Sequence, residues 1–361
     1  MSMRWPRQYC FNMRCSGRAD VRVSLSRGVI RTVTALAIAG ATACGGSGRG
    51  PLVRVTIPPH ATMRVVSDSL ARVGIIRHPR LFSLYASLRR TDRAIKAGTY
   101  LLHRDESWNM AIAALRGGKG IVDVVTIPEG FSLFQIEPLL VSRLGVPLDS
   151  VEAAVRDTAL LHQLDLPTPT LEGYLFPDTY VFARGTSART AVTMMVRRFQ
   201  QVWKPAWTAR LDTIHLSRND VMALAAIVEK EAKLPAERPV IAAVYMNRLK
   251  AGMLLQADPT VQYALGHHVA RVYYKDLETE SPYNTYKHKG LPPGPIGSPG
   301  KPSIEAALYP AHVPFEYFVA FPDGHHEFRK DLAAHEQAVA IARRAWDSVE
   351  VARRGDSSRA K

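Results

Sequence analysis

Two stretches of the chain share one pattern of apolar and polar positions. Val55-Thr56-Ile57-Pro58-Pro59-His60-Ala61-Thr62 recurs 70 residues later as Val125-Thr126-Ile127-Pro128-Glu129-Gly130-Phe131-Ser132. Branched residues followed by Pro predict a β-strand and its end, and the Thr or Ser after the polar turn opens a helix. The helix over 62–72 has Met63, Val66 and Leu70 at helical spacing, continued by Val73 just beyond it, and residues 132–144 do the same with Leu133, Ile136 and Leu140. Each copy is expected to continue to a further strand, Ala97-Gly98-Thr99-Tyr100-Leu101 in the first and Glu172-Gly173-Tyr174-Leu175-Phe176 in the second.

Residues 78–90 and 107–116 also read as helices, and Gly117-Gly118-Lys119-Gly120 as a linker. Further helices are predicted over 187–203, 217–233 and 239–249. The loop Gly290-Leu291-Pro292-Pro293-Gly294-Pro295-Ile296-Gly297-Ser298-Pro299-Gly300 is stiff, because proline fixes φ at several positions. Strands over 316–321 and 326–328 flank the turn Asp323-Gly324, and a polar helix follows. The fold class is α+β: a leader, signal or anchor segment and linker over 1–50, a small α+β unit over 51–120, a larger α+β domain over 121–345 and a flexible tail over 346–361.

The helix over 217–233 carries the candidate chemistry. Ser217 and Asp220 have capping-box spacing. At about 100° per residue and with Leu224 at zero, Ile227 lies near roughly 300°, Val228 at about 40° and Glu231 at about 340°. Glu231 thus falls in the apolar stripe, whereas Glu229, at about 140°, falls on the other side and is expected to stay ionised in water. A carboxyl that loses hydration holds its proton to higher pH, as a general acid requires. The plainer reading is that Glu229, Lys230 and Glu231 merely begin a solvated last turn, although acids there oppose the helix dipole. Glu229 and Glu231 cannot flank a scissile bond as the two carboxylates of an ordinary glycosidase do, since residues two apart do not face each other. Either a distant acid such as Asp258 completes such a pair, or one carboxyl acts as acid and then base with a substrate hydroxyl as nucleophile.

Composition adds a location. The chain has 361 residues, 47% of them hydrophobic and 22% charged, enough for two or three small domains. Its net charge is +15, and residues 1–50 hold eight Arg against Asp20 alone. The basic excess suits an anionic polymer or surface. Cys10, Cys15 and Cys44 all precede residue 50, so the body has neither a disulfide nor a thiolate metal site. Residues 32–43 (TVTALAIAGATA) are apolar, uncharged and preceded by arginines, the layout of a signal sequence or signal anchor. Small residues before Cys44 and the glycines after it point to a lipoprotein site, and an uncleaved anchor is the alternative; either exports the body.

Other signals exclude rather than suggest. His325, His326 and His335 lack metal-ligand spacing, and the Gly117 to Gly120 run lacks the Lys-Ser/Thr end of a phosphate loop. His60 and Ser132 have no triad context, and no basic face interleaved with aromatics suits nucleic acid.

From here the motifs become specific. Ile227-Val228-Glu229-Lys230-Glu231, Glu237-Arg238, Val244-Tyr245-Met246-Asn247-Arg248-Leu249 and Gly252-Met253-Leu254-Leu255-Gln256-Ala257-Asp258-Pro259-Thr260-Val261 follow in order. Ser281-Pro282-Tyr283-Asn284-Thr285-Tyr286, the Gly290 to Ile296 loop and Gly324-His325-His326-Glu327-Phe328 continue the series. Together with Ile127-Pro128-Glu129-Gly130 and Glu172 to Tyr180, they make residues 52–340 resemble the endolytic murein transglycosylase family.

The resemblance implies a lyase that cuts the β-1,4 bond between N-acetylmuramic acid and N-acetylglucosamine within peptidoglycan strands and leaves 1,6-anhydro ends. It implies Glu231 as the catalytic acid/base, a LysM-like subdomain over 51–120, no cofactor, and peptidoglycan synthases as partners of a membrane-anchored body on the periplasmic or cell-wall side. Gln256, Asp258, Tyr283 and Asn284 are candidates for the saccharide groove, since polar and aromatic side chains on stiff loops suit sugars. For Asp258 and Asn284 the alternative is hydrogen bonds that lock the fold. A non-catalytic peptidoglycan-binding scaffold is the rival function.

Overall fold

The structure, a computed structural model, describes residues 50–91, 95–266 and 272–359. The apolar stretch 32–43 and Cys10, Cys15 and Cys44 lie outside the described residues. Among the described residues no helix is long and apolar enough to cross a membrane. The chain is mixed helix and sheet, and its described residues divide into two compact units, the smaller formed by 50–55, 60–91, 95–96 and 102–117.

In chain order the first elements are β1 (Leu52–Ile57), α1 (Met63–Arg72), α2 (Pro79–Leu88), β2 (Gly98–His103) and α3 (Trp108–Gly117). Thr62 caps α1, its hydroxyl accepting from the Val65 N–H. Within the smaller unit, Val66 and Leu70 of α1, Phe82 and Ala86 of α2 and Ala111 and Leu115 of α3 are fully buried. Phe82 meets Trp108 edge to face with ring centroids 5.8 Å apart.

The larger unit takes residues 56–59 and 97–101, which include parts of β1 and β2, and the described residues from Gly118 onward. Its further elements are β3 (Ile121–Thr126), α4 (Leu133–Leu144), α5 (Leu148–Val155), α6 (Thr158–Leu164) and β4 (Thr179–Ala183). There follow α7 (Ala188–Val202), α8 (Pro205–Ile214), α9 (Arg218–Glu231), α10 (Arg238–Lys250), α11 (Asp258–Ala264), α12 (Lys301–Leu308), β5 (Tyr317–Ala320), β6 (His326–Arg329) and α13 (Leu332–Arg359).

The four-stranded sheet has the order β1-β2-β3-β4. β3 pairs antiparallel with β4 from Val122 opposite Ala183 to Thr126 opposite Thr179, and β2 pairs antiparallel with β3 at Thr99 opposite Val122. The internal repeat is visible in a detail of this sheet. Thr56 and Thr99 hydroxyls meet at 3.0 Å, and 70 residues on from Thr56 the Thr126 hydroxyl meets that of Thr179 at 2.9 Å. The counterpart of Thr99-Tyr100 is therefore Thr179-Tyr180, which corrects the sequence expectation. Glu172 to Phe176 is a turn, not a strand, because Gly173 takes φ +80° and a Cβ on it would sit 2.3 Å from the Pro295 Cβ.

Helix α9 is the axis of the larger unit. Every residue from Val221 to Val228 is buried, so the helix is enclosed all round instead of showing one apolar stripe. Neighbouring α10 and α12 supply part of this cover. Ser217 and Asp220 form the expected capping box, with the Ser217 N–H donating to Asp220 Oδ2 at 2.9 Å. β5 and β6 pair from Tyr317 opposite Arg329 to Ala320 opposite His326, around Gly324 at φ +90°. Helix α13 runs to Arg359. Its first half is held to the larger unit: Ala338 and Ala342 are buried, and the Trp346 indole N–H donates to the Ala320 carbonyl at 3.1 Å.

Candidate active site

Glu231 closes α9, and Ala232 already leaves the helical conformation at ψ 116°. Its carboxyl therefore projects from the end of a buried rod. The Tyr245 phenol, from the middle of α10, donates to Glu231 Oε1 at 3.0 Å. Burial pushes the Glu231 carboxyl up to about 7; the Tyr245 hydrogen bond opposes the rise, nearby Asp258 adds to it, and Lys233 and Arg248 oppose it. Although half-buried by surface, this carboxyl has lost most of its hydration. The group is poised to hold a proton near neutral pH and to exchange it at an open edge.

The loops around it converge through buried hydrogen bonds. Arg248, itself buried, donates to the Leu255 and Glu316 carbonyls at 2.6 Å each, tying the 255–257 segment and the start of the β5–β6 hairpin to α10. Gln256 sits at φ +53°, its N–H donating to the Thr285 carbonyl at 3.1 Å and its side chain exposed. Asp258 opens α11, is exposed, and accepts from the Tyr286 hydroxyl at 2.6 Å. Asp258 is thus within electrostatic reach of Glu231, and Gln256 lies two residues before Asp258 on the same segment.

The other two groove candidates are placed differently. Asn284 is fully buried and spends its amide on the backbone, donating to the Leu277 and Thr279 carbonyls at 2.8 Å each and accepting from the Tyr286 N–H at 3.0 Å. That arrangement fits the loop-locking alternative for Asn284. Tyr283 packs on Tyr263, ring centroids 4.8 Å apart, and is half-buried.

Glu229 also departs from expectation. It is not in water: its side chain is 7% exposed, Oε1 accepts from Arg238 at 3.2 Å and Oε2 from the Gly300 N–H at 2.8 Å. The covering groups come from α10 and from the loop before α12, which helical phase within α9 does not register.

A second buried carboxyl, Glu172, entered the sequence reading only as part of a motif. It accepts from the Leu133 N–H at 3.1 Å, at the start of α4, and from the Tyr263 hydroxyl at 3.2 Å. Burial raises it to about 7 against the pull of Leu133, Tyr263, Gly173 and Lys230. Lys230, one residue before Glu231, donates to the Gly130 carbonyl at 3.0 Å, and burial lowers its pKa. Beside these groups lies a cavity of about 360 Å³ whose lining includes Phe134, Gln135, Lys230, Lys233, Gln262 and Tyr263. Aromatic faces alternating with amides and ammonium groups suit a polar, ring-shaped ligand.

The three histidines near the C-terminus take separate partners. His325 Nδ1 lies 2.5 Å from Asp323 Oδ1, His326 Nδ1 lies 2.7 Å from Glu237 Oε2, and His335 stacks on Tyr317. Among the described residues no group of three or more His, Cys, Asp or Glu side chains could hold a metal ion.

Residues 55–341 match the model of the YceG-like family. The chain belongs to this family. Among its relatives, the endolytic murein transglycosylase of Bacillus subtilis (strain 168) is 33% identical over 302 residues, which cover 79% of this chain and 83% of the relative. The endolytic murein transglycosylase of Streptococcus pneumoniae serotype 2 (strain D39) is 29% identical over 80% of this chain, which spans 58% of that relative's length. A crystal structure of a YceG-like protein from Listeria monocytogenes is similar at 33% identity and a TM-score of 0.59, covering 79% of this chain and 98% of the other.

In this YceG-like chain, sequence reasoning missed Tyr245 and Glu172 as candidate site residues. Tyr245 had one available signal, a tyrosine within an otherwise apolar helical run following the Glu-Lys-Glu helix. Glu172 had none, because its partners are 39 and 91 residues away.

Proposed function

We propose that this chain is an endolytic murein lytic transglycosylase, cleaving the β-1,4 bond between N-acetylmuramic acid and N-acetylglucosamine inside peptidoglycan strands and leaving 1,6-anhydro ends. The observation that carries the proposal is the Glu231 carboxyl, raised to about 7 by burial and held by Tyr245 at the end of α9. The names of the curated relatives at 29% and 33% identity support the choice of polymer and reaction.

Glu231 enters the reaction protonated. It gives its proton to the glycosidic oxygen as the C1–O bond breaks, and the departing N-acetylglucosamine leaves with a free 4-hydroxyl. The resulting carboxylate, stabilised by the Tyr245 hydroxyl, then takes the proton from the C6 hydroxyl of the muramic acid residue as that oxygen bonds to C1. Water is not consumed, and Glu231 ends as it began. Asp258, a carboxylate within electrostatic reach, favours the positive charge that develops at C1. Gln256 and Tyr283 complete the groove in this proposal, while Asn284 keeps its loop in shape.

The same proposal includes a LysM-like role for the small unit, an N-terminal anchor over residues 32–43 or at Cys44, export of the body to the periplasmic or cell-wall side, and peptidoglycan synthases as partners. Digesting purified glycan strands with the protein and weighing the products tests the reaction. Anhydro ends support it, reducing ends make the protein a hydrolase, and unchanged strands favour the binding scaffold.

A further inference from the structure

Helix α2 presents apolar side chains on two opposite sides. Phe82 and Ala86 are fully buried within the smaller unit, whereas Leu81, Leu84 and Leu88 are 56%, 58% and 74% exposed. At 3.6 residues per turn the three leucines share an arc of about 60° facing away from the buried pair, and Arg80 falls beside them. A run of three exposed leucines on a ten-residue helix differs from the singly scattered apolar residues of an ordinary surface.

The charge of the body is concentrated in the same place. Residues 50–117 hold eleven Arg and Lys against four Asp and Glu, a net charge of +7, whereas residues 118–361 hold twenty-eight against twenty-seven, a net of +1. Arg80 and Arg90 flank the leucine stripe, while the Arg89 guanidinium lies over the Tyr85 ring, 5.0 Å from its centroid; α2 itself contains no acid. Of the acids in this unit, Asp105 is engaged by Arg77 at 2.8 Å. Apolar side chains flanked by Arg80 and Arg90 in a unit of net positive charge match an interface whose interior is hydrocarbon and whose surface is anionic.

Chain length places such an interface within reach. Six residues separate Ala43 from Gly50, where the described chain begins, and six extended residues span about 20 Å. If residues 32–43 enter a bilayer, the small unit stays within about one helix length of its surface.

We propose that α2 docks the small unit on an anionic phospholipid surface, with Leu81, Leu84 and Leu88 entering the headgroup boundary and the flanking arginines pairing with lipid phosphates. The proposal is independent of the reaction at Glu231. Its consequence is a lateral hold on the membrane in addition to any anchor before residue 50.

Hydrogen exchange on the full chain tests this. Deuterium uptake over residues 79–90 is followed by mass spectrometry in buffer, with vesicles of phosphatidylglycerol and phosphatidylethanolamine, with vesicles of phosphatidylcholine alone, and with purified glycan strands. Exchange over 79–90 is expected to slow by about threefold or more with the anionic vesicles only. The variant carrying Leu81→Gln, Leu84→Gln and Leu88→Gln, all at solvent-facing positions, is expected to lose that slowing while still sedimenting with the vesicles. Unchanged exchange over 79–90 in chain that has sedimented with the vesicles overturns the docking and leaves the anchor standing. Slowing by glycan strands in place of vesicles assigns the stripe to the polymer and overturns it as well, and a wild-type chain that does not sediment with anionic vesicles overturns both docking and anchor.

Discussion

The Tyr245 hydroxyl donates to Glu231 Oε1 at 3.0 Å, joining the last residue of α9 to the middle of α10. A donor aimed at a carboxyl favours its ionised form, so this bond opposes the burial that raises Glu231 to about 7. It also fixes which oxygen is left to face substrate.

Tyr245→Phe keeps the ring and removes the donor. In the proposed mechanism kcat/KM declines above about pH 7 as Glu231 loses its proton. The variant is expected to move that alkaline limb to higher pH and to lower kcat by about tenfold or more, because the carboxylate formed in the first step loses its stabilising bond. A pH–rate profile checks this, and an unmoved limb would argue that the hydroxyl does not act on Glu231.

Glu229 is a structural counter-ion. Its side chain is 7% exposed, and that of Arg238 13%. Removing one member of a buried pair leaves the other charge uncompensated, so Glu229→Gln is expected to cost about 2–4 kcal/mol of stability in denaturant unfolding. The folded fraction is expected to keep more activity than Glu231→Gln. The reverse order of activities would exchange the roles of the two residues.

Glu172 makes stability depend on pH. Its folded pKa of about 7 lies above the ordinary 4.5, so its contribution is complete below pH 4.5 and is lost as pH rises through 7. The full difference is on the order of 3 kcal/mol. Relative to wild type, Glu172→Gln is expected to gain stability by about that much between pH 4 and pH 8. Parallel stability curves for the two proteins over that range would contradict the assignment.

The turn at Gly173 admits no side chain. With φ at +80° and an added methyl carbon only 2.3 Å from the Pro295 Cβ, Gly173→Ala is expected to cost about 3 kcal/mol or more. Thermal unfolding reads this directly, and an unchanged midpoint would mean that the 290–300 loop yields easily.

How far the sequence could be read follows from where each residue finds its partners. The capping box of Ser217 and the strand–turn–helix repeats depend on neighbours within a few positions and were legible, whereas the surroundings of Glu231 come from Tyr245, Arg248 and Asp258 on other elements. The solvated position expected for Glu229 failed because Arg238 and Gly300 approach from other elements, the latter 71 residues away. The strand expected at Gly173-Tyr174 failed for a related reason: Gly173 sits at φ +80° against Pro295, 122 residues away, a contact no local pattern registers. Asn284 could be read as either a sugar contact or a loop lock until its amide was seen bonded to Leu277 and Thr279.

The central claim is that Glu231 alone serves as acid and then base while the substrate's own C6 hydroxyl closes on C1. Cleaving glycan strands in ¹⁸O-labelled water with wild type and Glu231→Gln tests it most directly. The account predicts 1,6-anhydro ends without label from wild type and no cleavage by Glu231→Gln. Reducing ends carrying ¹⁸O, or anhydro ends produced by Glu231→Gln at the wild-type rate, would contradict it.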